Sequence, residues 1–112
     1  FNLMVKYNDQ HLSAVFAALA DPTRRAMLQQ LEQGPCSVGE LAAPHAMSLA
    51  GASKHVRALE KAGLVMREVQ GRMHHCRLNA DPLAEAEAWL QRYRVFWNHK
   101  LDALEQALKD GD

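Results

Sequence analysis

The sequence predicts a mainly α-helical domain with one small β-hairpin and a long C-terminal helix. Apolar residues recur at three- and four-residue steps over most of the chain, which is the period of a helix packed on a core. The exception is the stretch 64–78, where two β-compatible runs flank a glycine. With 112 residues and 48% hydrophobic content, the chain is large enough for one core. We therefore expect a single domain over residues 9–109, with residues 1–8 as a tail.

Two helices are predicted at the start of the domain. The first covers residues 11–19, whose apolar positions follow the i, i+3, i+4, i+7 pattern. The second begins at Asp21, which is an N-cap residue, with Pro22 at the first helical position. We expect it to end near Gln33, just before a Gly-Pro pair.

The next segment has the spacing of a helix-turn-helix. Ser37 and Glu40 match the capping-box pattern and begin a short third helix that runs through Ala43. After about four turn residues, Ser48 is the N-cap of a fourth helix that ends before Gly63. Two helices joined by a short turn form the arrangement in which the second helix enters a DNA groove.

The fourth helix has one buried and one exposed face. Ala52, Val56 and Leu59 form a single apolar stripe that must face a core. The opposite face and its shoulders carry small and cationic residues: Ala50, Gly51, Ser53, Lys54, Arg57 and Lys61. This face is slim at its N-terminal end and basic further along, which suits close approach to a groove and contact with phosphates. An ordinary amphipathic helix with a solvated basic face is the alternative.

Residues 64–78 predict a basic β-hairpin directly behind this helix. The runs 64–69 and 73–78 flank a Gln-Gly-Arg connection, as in a tight turn between antiparallel strands. Arg72 is expected at the tip, with Arg67 and Arg77 along the sides. The hairpin is either a wing that lies along DNA or a structural hairpin with ordinary surface arginines.

The C-terminal third predicts one long helix from Pro82 to about Lys109, begun by a second Asp-Pro pair. An apolar stripe repeats along it, broadened by aromatic residues: Leu83, Ala86, Trp89, Leu90, Tyr93, Phe96, Trp97, Leu101, Leu104 and Leu108. A domain of this size cannot cover such a stripe, so we expect a symmetric dimer. A cofactor pocket lined by the aromatic residues is the less favoured alternative.

The distribution of charge favours a polyanionic partner although the net charge is +0. Residues 48–77 hold six cations and two anions, whereas the segments on either side are net negative. Arg24 and Arg25 lie outside this patch, in the first turn of the second helix. The helix dipole does not stabilise cations there, so they are either solvated or bound by a carboxylate or phosphate.

Several classes of protein are disfavoured by composition. No run approaches the ~18 apolar residues of a membrane span, and no signal-peptide pattern is present. The two cysteines do not form a disulfide framework, which favours a reducing, cytoplasmic setting. No phosphate loop or nucleophile elbow occurs, so we expect neither an enzyme nor a bound cofactor.

Four segments resemble the ArsR-type winged-helix repressors: LADPTRRAMLQQL, MSLAGASKHVRALEKAGLV, GRMHHCRLN and WLQRYRVFWNHKLDAL. With the order of the predicted elements, the resemblance covers about residues 9–108. The Ser-Lys-His at 53–55, followed by RALEKAGLV, is the most specific of them. The resemblance implies a homodimeric, sequence-specific repressor that binds double-stranded DNA. It also implies that the first and last helices form the dimer, while two fourth helices enter successive major grooves of a palindromic site.

Site residues follow from the patterns together with the resemblance. The expected DNA-binding residues are Ser48, Leu49, Ala50, Gly51, Ser53, Lys54, His55, Arg57, Arg67 and Arg72. The expected dimer-interface residues are Leu12, Phe16, Trp89, Tyr93, Phe96, Trp97, Leu101 and Leu104. Leu49 and Ala50 stand where polar residues are common in the family, so direct hydrogen bonding to bases is sparse in this chain.

Metal sensing, thiol sensing and protein binding remain as alternatives within the same fold. The family's metal helix carries a Cys-Val-Cys-Asp run, but the matching positions here, 37–40, contain no cysteine. His99 with Asp102 and Glu105 offers only a sparse second site. Cys36 or Cys76 is a candidate redox thiol, although neither has another cysteine close in sequence.

Overall fold

The structure is a computed structural model that describes the backbone of residues 2–111 and the side chains of residues 10–111. Six α-helices and two strands follow one another along these residues: α1 Asn2–Leu19, α2 Pro22–Leu31, α3 Val38–Ala42, α4 Leu49–Lys61, β1 Val65–Gln70, β2 Met73–Leu78, α5 Asp81–Leu90 and α6 Arg94–Asp110. Short 3-10 turns at Ala43–His45 and Gln91–Tyr93 follow α3 and α5. The order confirms the predicted mainly helical fold with one hairpin.

The core lies where helices α1 to α5 and the hairpin meet. The apolar stripes predicted for α2 and α4 are buried, and residues of α1, α3, β1, β2 and α5 complete the cluster: Val15, Ala18, Met27, Leu28, Leu31, Leu41, Ala52, Val56, Leu59, Leu64, Val65, Cys76 and Ala86. Met27, Leu41 and Leu59 are the largest side chains that are fully buried. Burial of these apolar groups positions α4 and the hairpin against the rest of the domain.

Three predicted helix boundaries in the first half of the chain change in the structure, and the smallest change is at α3, which ends at Ala42 instead of Ala43. Helix α1 begins at Asn2, so the backbone of residues 2–8, which the sequence suggested as a tail, is helical. The segment contains no proline or glycine that would interrupt helical hydrogen bonding. Residue 1 of that tail lies outside the described residues. Helix α2 ends at Leu31 instead of near Gln33, a difference of the size usual for helix ends.

The predicted hairpin is confirmed. Strands β1 and β2 pair antiparallel from Val65↔Leu78 to Gln70↔Met73. Gly71 in the two-residue connection has φ +63°, a left-handed conformation that glycine adopts without a steric penalty. The tight turn directs the hairpin tip, with Arg72, away from the core.

The predicted long C-terminal helix is present as α6, but the expectation that one helix runs without interruption from Pro82 to about Lys109 is wrong. A 3-10 turn at Gln91–Tyr93 separates α5 from α6, and α5 begins one residue earlier than predicted, with Asp81 inside the helix and Ala80 at the N-cap. The apolar period identifies the residues that share a face, but it does not report a local change in hydrogen bonding. Tyr93, at the junction, has φ −98° and ψ −4°, which lies in the bridge region and outside the usual α-helical range.

Candidate nucleic-acid interface

Helices α3 and α4 form the predicted helix-turn-helix. The capping box of α3 is present: Ser37 Oγ accepts the Glu40 N–H at 3.1 Å, and Glu40 Oε1 accepts the Ser37 N–H at 3.0 Å. The bond from the Ser37 N–H, together with hydrogen bonding from the Ser37 side chain, lowers the pKa of the Glu40 carboxyl because bonds donated to the carboxylate favour its charged form. The turn ends at Ala46, which has φ +51°, and this reverses the chain before α4.

Both ends of α4 are fixed by local hydrogen bonds. At the start, Ser48 Oγ accepts the Gly51 N–H at 3.0 Å. At the end, Leu64 N–H donates to Leu59 O and Gly63 N–H donates to Glu60 O, both at 2.9 Å, with Gly63 at φ +77°. This pair of bonds is the Schellman motif. Helix α4 therefore has defined limits, and its first turn begins at an exposed serine.

The outward face of α4 presents most of the predicted DNA-binding residues to solvent. Leu49, the first residue of the helix, is 61% exposed. Gly51, Ser53 and His55 are half-buried on the shoulders, and the remaining residues of the predicted set on this helix are exposed: Ser48, Leu49, Ala50, Lys54 and Arg57. The structure thus brings together small, apolar and cationic groups on one accessible surface.

His55 is connected to α2 instead of standing free on α4. Its Nδ1 lies 3.5 Å from Arg24 Nη1 and 3.8 Å from Asp21 Oδ2. Asp21 is also the N-cap of α2, where its Oδ2 accepts the Arg24 N–H at 3.0 Å. That backbone bond lowers the pKa of the Asp21 carboxyl, and nearby His55 and Arg24 act in the same direction. This cluster ties the middle of α4 to the start of α2.

Arg24 and Arg25 have a structural role that the sequence did not reveal. Arg24 donates from Nε to Ala18 O at 2.8 Å and from Nη2 to Ala17 O at 2.7 Å, and Arg25 donates from Nη1 to Leu19 O at 2.6 Å. These are carbonyls of the last turn of α1, which lack the partner that a continuing helix would provide, and Ala17 O also accepts the Ala20 N–H at 3.3 Å. The sequence predicted that these arginines contact either solvent or an anion. It did not predict that they cap the preceding helix.

Two of the predicted basic residues of the hairpin are paired with carboxylates. Arg67 Nε lies 3.0 Å from Glu60 Oε1, and Arg77 Nη1 lies 2.6 Å from Glu68 Oε1. The cations of the basic patch that remain without such a pair, among the residues whose side chains are described, are all exposed: Lys54, Arg57, Lys61 and Arg72. The positive charge of residues 48–77 is therefore concentrated on α4 and the hairpin tip.

The predicted dimer residues divide into two groups. Leu12 and Phe16 are half-buried against the core of their own chain, and Phe16 meets Trp89 edge-on with ring centroids 5.6 Å apart. The others are exposed, including Phe96 at 62% and Leu101 at 62%. Every residue of α6 through Asp110 is exposed. A groove of about 490 Å³ between α1 and α5 is lined by Leu12, Ser13, Phe16 and Trp89.

Two features of the described residues bear on other functions. No helix among residues 2–111 is long and apolar enough to cross a membrane. In the same part of the chain, no group of three or more His, Cys, Asp and Glu residues is arranged to hold a metal ion. Cys76 is buried, His75 is half-buried and His74 is exposed. His74 shares a strand face with Cys76 but lies nearer the hairpin tip, opposite the exposed Val69.

The fold and this surface define a winged helix-turn-helix DNA-binding regulator. Residues 19–68 match the family described as "Helix-turn-helix domain". The chain is 36% identical over 96 residues to the HTH-type transcriptional regulator Rv2034 of Mycobacterium tuberculosis, an alignment that covers 85% of this chain and 87% of the relative. It is 28% identical to the transcriptional repressor SdpR of Bacillus subtilis, over 73% of this chain and 91% of that protein.

Solved structures agree with these relatives. The ArsR family transcriptional regulator RHA00566 superimposes with a TM-score of 0.73 at 41% identity, covering 80% of this chain and 93% of that chain. A homodimeric winged helix-turn-helix DNA-binding domain from Mycobacterium bovis gives a TM-score of 0.62 at 29% identity, covering 76% of this chain and 79% of that chain. The protein belongs to the ArsR family of transcriptional regulators.

Proposed function

We propose that the protein is a transcriptional repressor that binds a palindromic operator as a homodimer. The observation that carries the proposal is the accessible face of α4, which begins with small residues at a capped N-terminus and continues into the exposed cations Lys54 and Arg57. Small residues allow the helix to approach base edges, while the cations contact phosphates on either side of the groove. The relative SdpR, a repressor, supports this direction of regulation.

The residues take different roles at the DNA. Lys54, Arg57 and Arg72 supply phosphate contacts because their charges are free of ion pairs among residues 10–111. Ser48, Leu49, Ala50, Gly51 and Ser53 line the part of α4 that approaches the bases. His55 stands at the edge of the groove, positioned by Arg24 and Asp21. Arg67 contacts phosphate only if it exchanges its bond to Glu60, so its contribution is smaller than the sequence suggested.

The dimer forms through α6 together with the groove between α1 and α5. The large apolar residues of α6 form a continuous stripe, and exposing such a stripe to water is unfavourable in free energy. The same stripe on a second copy of the chain covers it. The homodimeric DNA-binding domain from Mycobacterium bovis supports this arrangement. The interface consists of Leu12, Phe16, Trp89, Tyr93, Phe96, Trp97, Leu101 and Leu104.

The domain over residues 9–109 acts by binding and not by catalysis, in the cytoplasm, where it meets DNA directly. It needs no cofactor for this activity. A protein-binding role for the same surface would require a partner attracted by exposed cations, and double-stranded DNA meets that condition with its regular array of phosphates.

The experiment that tests the proposal compares two arginines of the hairpin. Arg72→Ala removes an exposed cation at the tip, whereas Arg77→Ala removes a cation already bonded to Glu68. Both variants lose one positive charge, so their net charge is the same. Arg72→Ala should weaken binding to operator and random duplex about equally, and it should lower the slope of log affinity against log salt by about 1.

Arg77→Ala should leave the salt slope close to that of the wild-type protein. Binding is measured by fluorescence anisotropy at several salt concentrations with the same two duplexes. Equal losses for the two variants would show that only net charge matters, and an unchanged slope for Arg72→Ala would remove the hairpin tip from the DNA interface.

A further inference from the structure

Backbone hydrogen bonds pair the two cysteines of the chain directly. Cys36 N–H donates to Cys76 O at 3.0 Å, and Cys76 N–H donates to Cys36 O at 2.6 Å. Two residues that exchange both bonds form a hydrogen-bonded antiparallel pair. The segment before α3 and the second strand of the hairpin therefore meet at these two positions, although 39 residues lie between them in the sequence.

This pairing places the side chains within reach of each other. Residues directly opposite in an antiparallel pair project to the same face, and their Cα atoms lie about 5.5 Å apart. Cα atoms joined by a disulfide are usually about 4.4–6.8 Å apart, so this distance already suits the bond. Facing Cβ atoms of a hydrogen-bonded pair lie near about 5.5 Å, against about 3.5–4.5 Å in a disulfide, so forming the bond draws the two Cβ atoms together by about 1 Å. Cys36 Sγ now donates to Gly34 O at 3.5 Å, so a bond between the sulfurs would replace a weak hydrogen bond.

The surroundings of the two thiols differ. Cys76 is 1% exposed and belongs to the core, whereas Cys36 is half-buried and reachable from solvent. Burial raises the pKa of both thiols, and Glu40 raises that of Cys36 further. At Cys76 the nearby Arg67 opposes the rise in pKa, while Glu60 and Cys36 add to it. Both are therefore protonated at neutral pH, and exchange with a disulfide is slow until the pH rises.

We infer that Cys36 and Cys76 are a reversible dithiol–disulfide pair that, when oxidised, fixes the hairpin to the start of the helix-turn-helix. The oxidant is a low-molecular-weight disulfide. The Cys36 thiol loses its proton and attacks one sulfur of that disulfide, which releases one small thiol and leaves a mixed disulfide on Cys36. The Cys76 thiol then loses its proton and attacks Cys36 Sγ, which releases the second small thiol. Two protein thiols are oxidised and one disulfide is reduced to two thiols.

The covalent loop would enclose the whole helix-turn-helix and the first hairpin strand. Closing a loop of this length restricts the unfolded chain strongly, so the native state gains stability if its geometry accepts the bond. A rise in Tm of about 10 °C is expected for a domain of this size. The inference concerns these two sulfurs and holds whether or not the DNA-binding proposal is correct.

The test uses the full chain, fully reduced and then equilibrated with glutathione disulfide at mildly alkaline pH under non-denaturing conditions. Remaining thiols are blocked with N-ethylmaleimide, and the intact mass and peptide map are recorded. The expected result is a monomeric chain about 2 Da lighter, without label, in which Cys36 and Cys76 peptides are joined. Dithiothreitol should restore both labels. Melting should shift upward by about 10 °C on oxidation.

Cys36→Ser is the matched variant because that side chain is only half-buried, so the fold should tolerate the change. It should show neither the crosslink nor the shift in Tm on treatment with glutathione disulfide. The inference is overturned if the wild-type protein keeps two free thiols, carries glutathione on Cys36 without closing the ring, or links two chains. A crosslink that lowers Tm would also overturn it, because the native backbone would then not accommodate the bond.

Discussion

Single polar side chains at helix ends determine where this chain turns. Asp21 begins α2, Ser37 begins α3 and Ser48 begins α4, each by accepting a backbone N–H of the first turn. Asp21 has a second connection through Arg24 and His55, so the cap of α2 also supports the DNA-facing helix.

Asp21 gives the stability of the fold a dependence on acid pH. Its pKa is lower in the folded chain than in the unfolded chain, where it is about 3.9, because the Arg24 N–H bond and neighbouring positive groups favour the carboxylate. Its contribution is therefore present above that unfolded pKa and is lost as the pH falls through the folded value. Asp21→Asn should lose less stability than the wild-type protein between about pH 5 and pH 3.

Urea unfolding at several pH values measures this difference. Asp102→Asn, which removes an exposed carboxylate of α6, serves as the control and should follow the wild-type curve. Parallel curves for wild type and Asp21→Asn would mean that the cap carries no proton-linked stability in the fold.

The sequence predicts these caps because each depends on neighbours within three residues. It cannot predict interactions that depend on how helices pack. Arg24 donates to carbonyls six and seven residues earlier, across the bend between α1 and α2. His11 lies between Glu85 on α5 and the Ala62 carbonyl at the end of α4, partners 74 and 51 residues away. The pairing of Cys36 with Cys76 is of the same kind.

At the scale of elements, the exit from α4 controls the placement of the hairpin. Gly63 at φ +77° closes the Schellman motif, and Leu64 follows it into the core with no exposure. Asn79 Nδ2 donates to Gly63 O at 2.8 Å, which ties the end of β2 to the same corner. The corner therefore sets the angle between the helix and the wing.

Gly63→Ala should lower the free energy of unfolding by about 1–2 kcal/mol, because a residue with a Cβ resists this left-handed conformation. The added methyl group would meet Pro82 Cγ at 3.4 Å and His11 Nε2 at 3.6 Å, which are ordinary contacts. The cost is therefore conformational. Urea unfolding measures it.

Gly39→Ala is the matched control, since Gly39 lies in α3 and its added Cβ would come no closer than 3.8 Å, to Ser37 Oγ. That change should be neutral or stabilising by up to about 1 kcal/mol. Equal effects of the two substitutions would show that the left-handed corner is not required.

Element types were predictable because hydrophobic period and turn residues are local signals. The break between α5 and α6 was not, since the apolar stripe continues through it. Trp89 and Tyr93 pack with ring centroids 5.2 Å apart, and Tyr93 and Phe96 with centroids 6.2 Å apart, across the interruption. A helical wheel places these three aromatic residues near one face whether or not the backbone changes there.

At the scale of the whole molecule, α6 extends from the body with all its apolar residues in solvent. Its stripe of Trp97, Leu101, Leu104 and Leu108 has no counterpart in the described part of its own chain. The domain is 65 Å in its longest dimension and only 21 Å in its shortest. An elongated single chain with an exposed apolar arm is the form expected of one half of a dimer.

Trp97→Ala and Leu101→Ala should each shift the protein toward monomer and weaken operator binding. A central aromatic residue in such an interface commonly contributes about 2 kcal/mol, and a symmetric dimer loses it from both subunits, so the dissociation constant of the dimer should rise roughly a thousand-fold for Trp97→Ala. Sedimentation velocity over a range of concentrations measures the shift. His99→Ala, on the opposite side of α6, should remain dimeric. A wild-type protein that is monomeric at micromolar concentration would contradict this assignment.

Selection of duplexes from a random pool by the wild-type protein tests the central claim most directly. A dimer that inserts one α4 per subunit on the same side of DNA should enrich an inverted repeat whose half-site centres lie about 10 base pairs, or roughly 34 Å, apart. Enrichment of an unpaired half-site, or no enrichment above the starting pool, would contradict repression by a dimer bound to a palindromic operator.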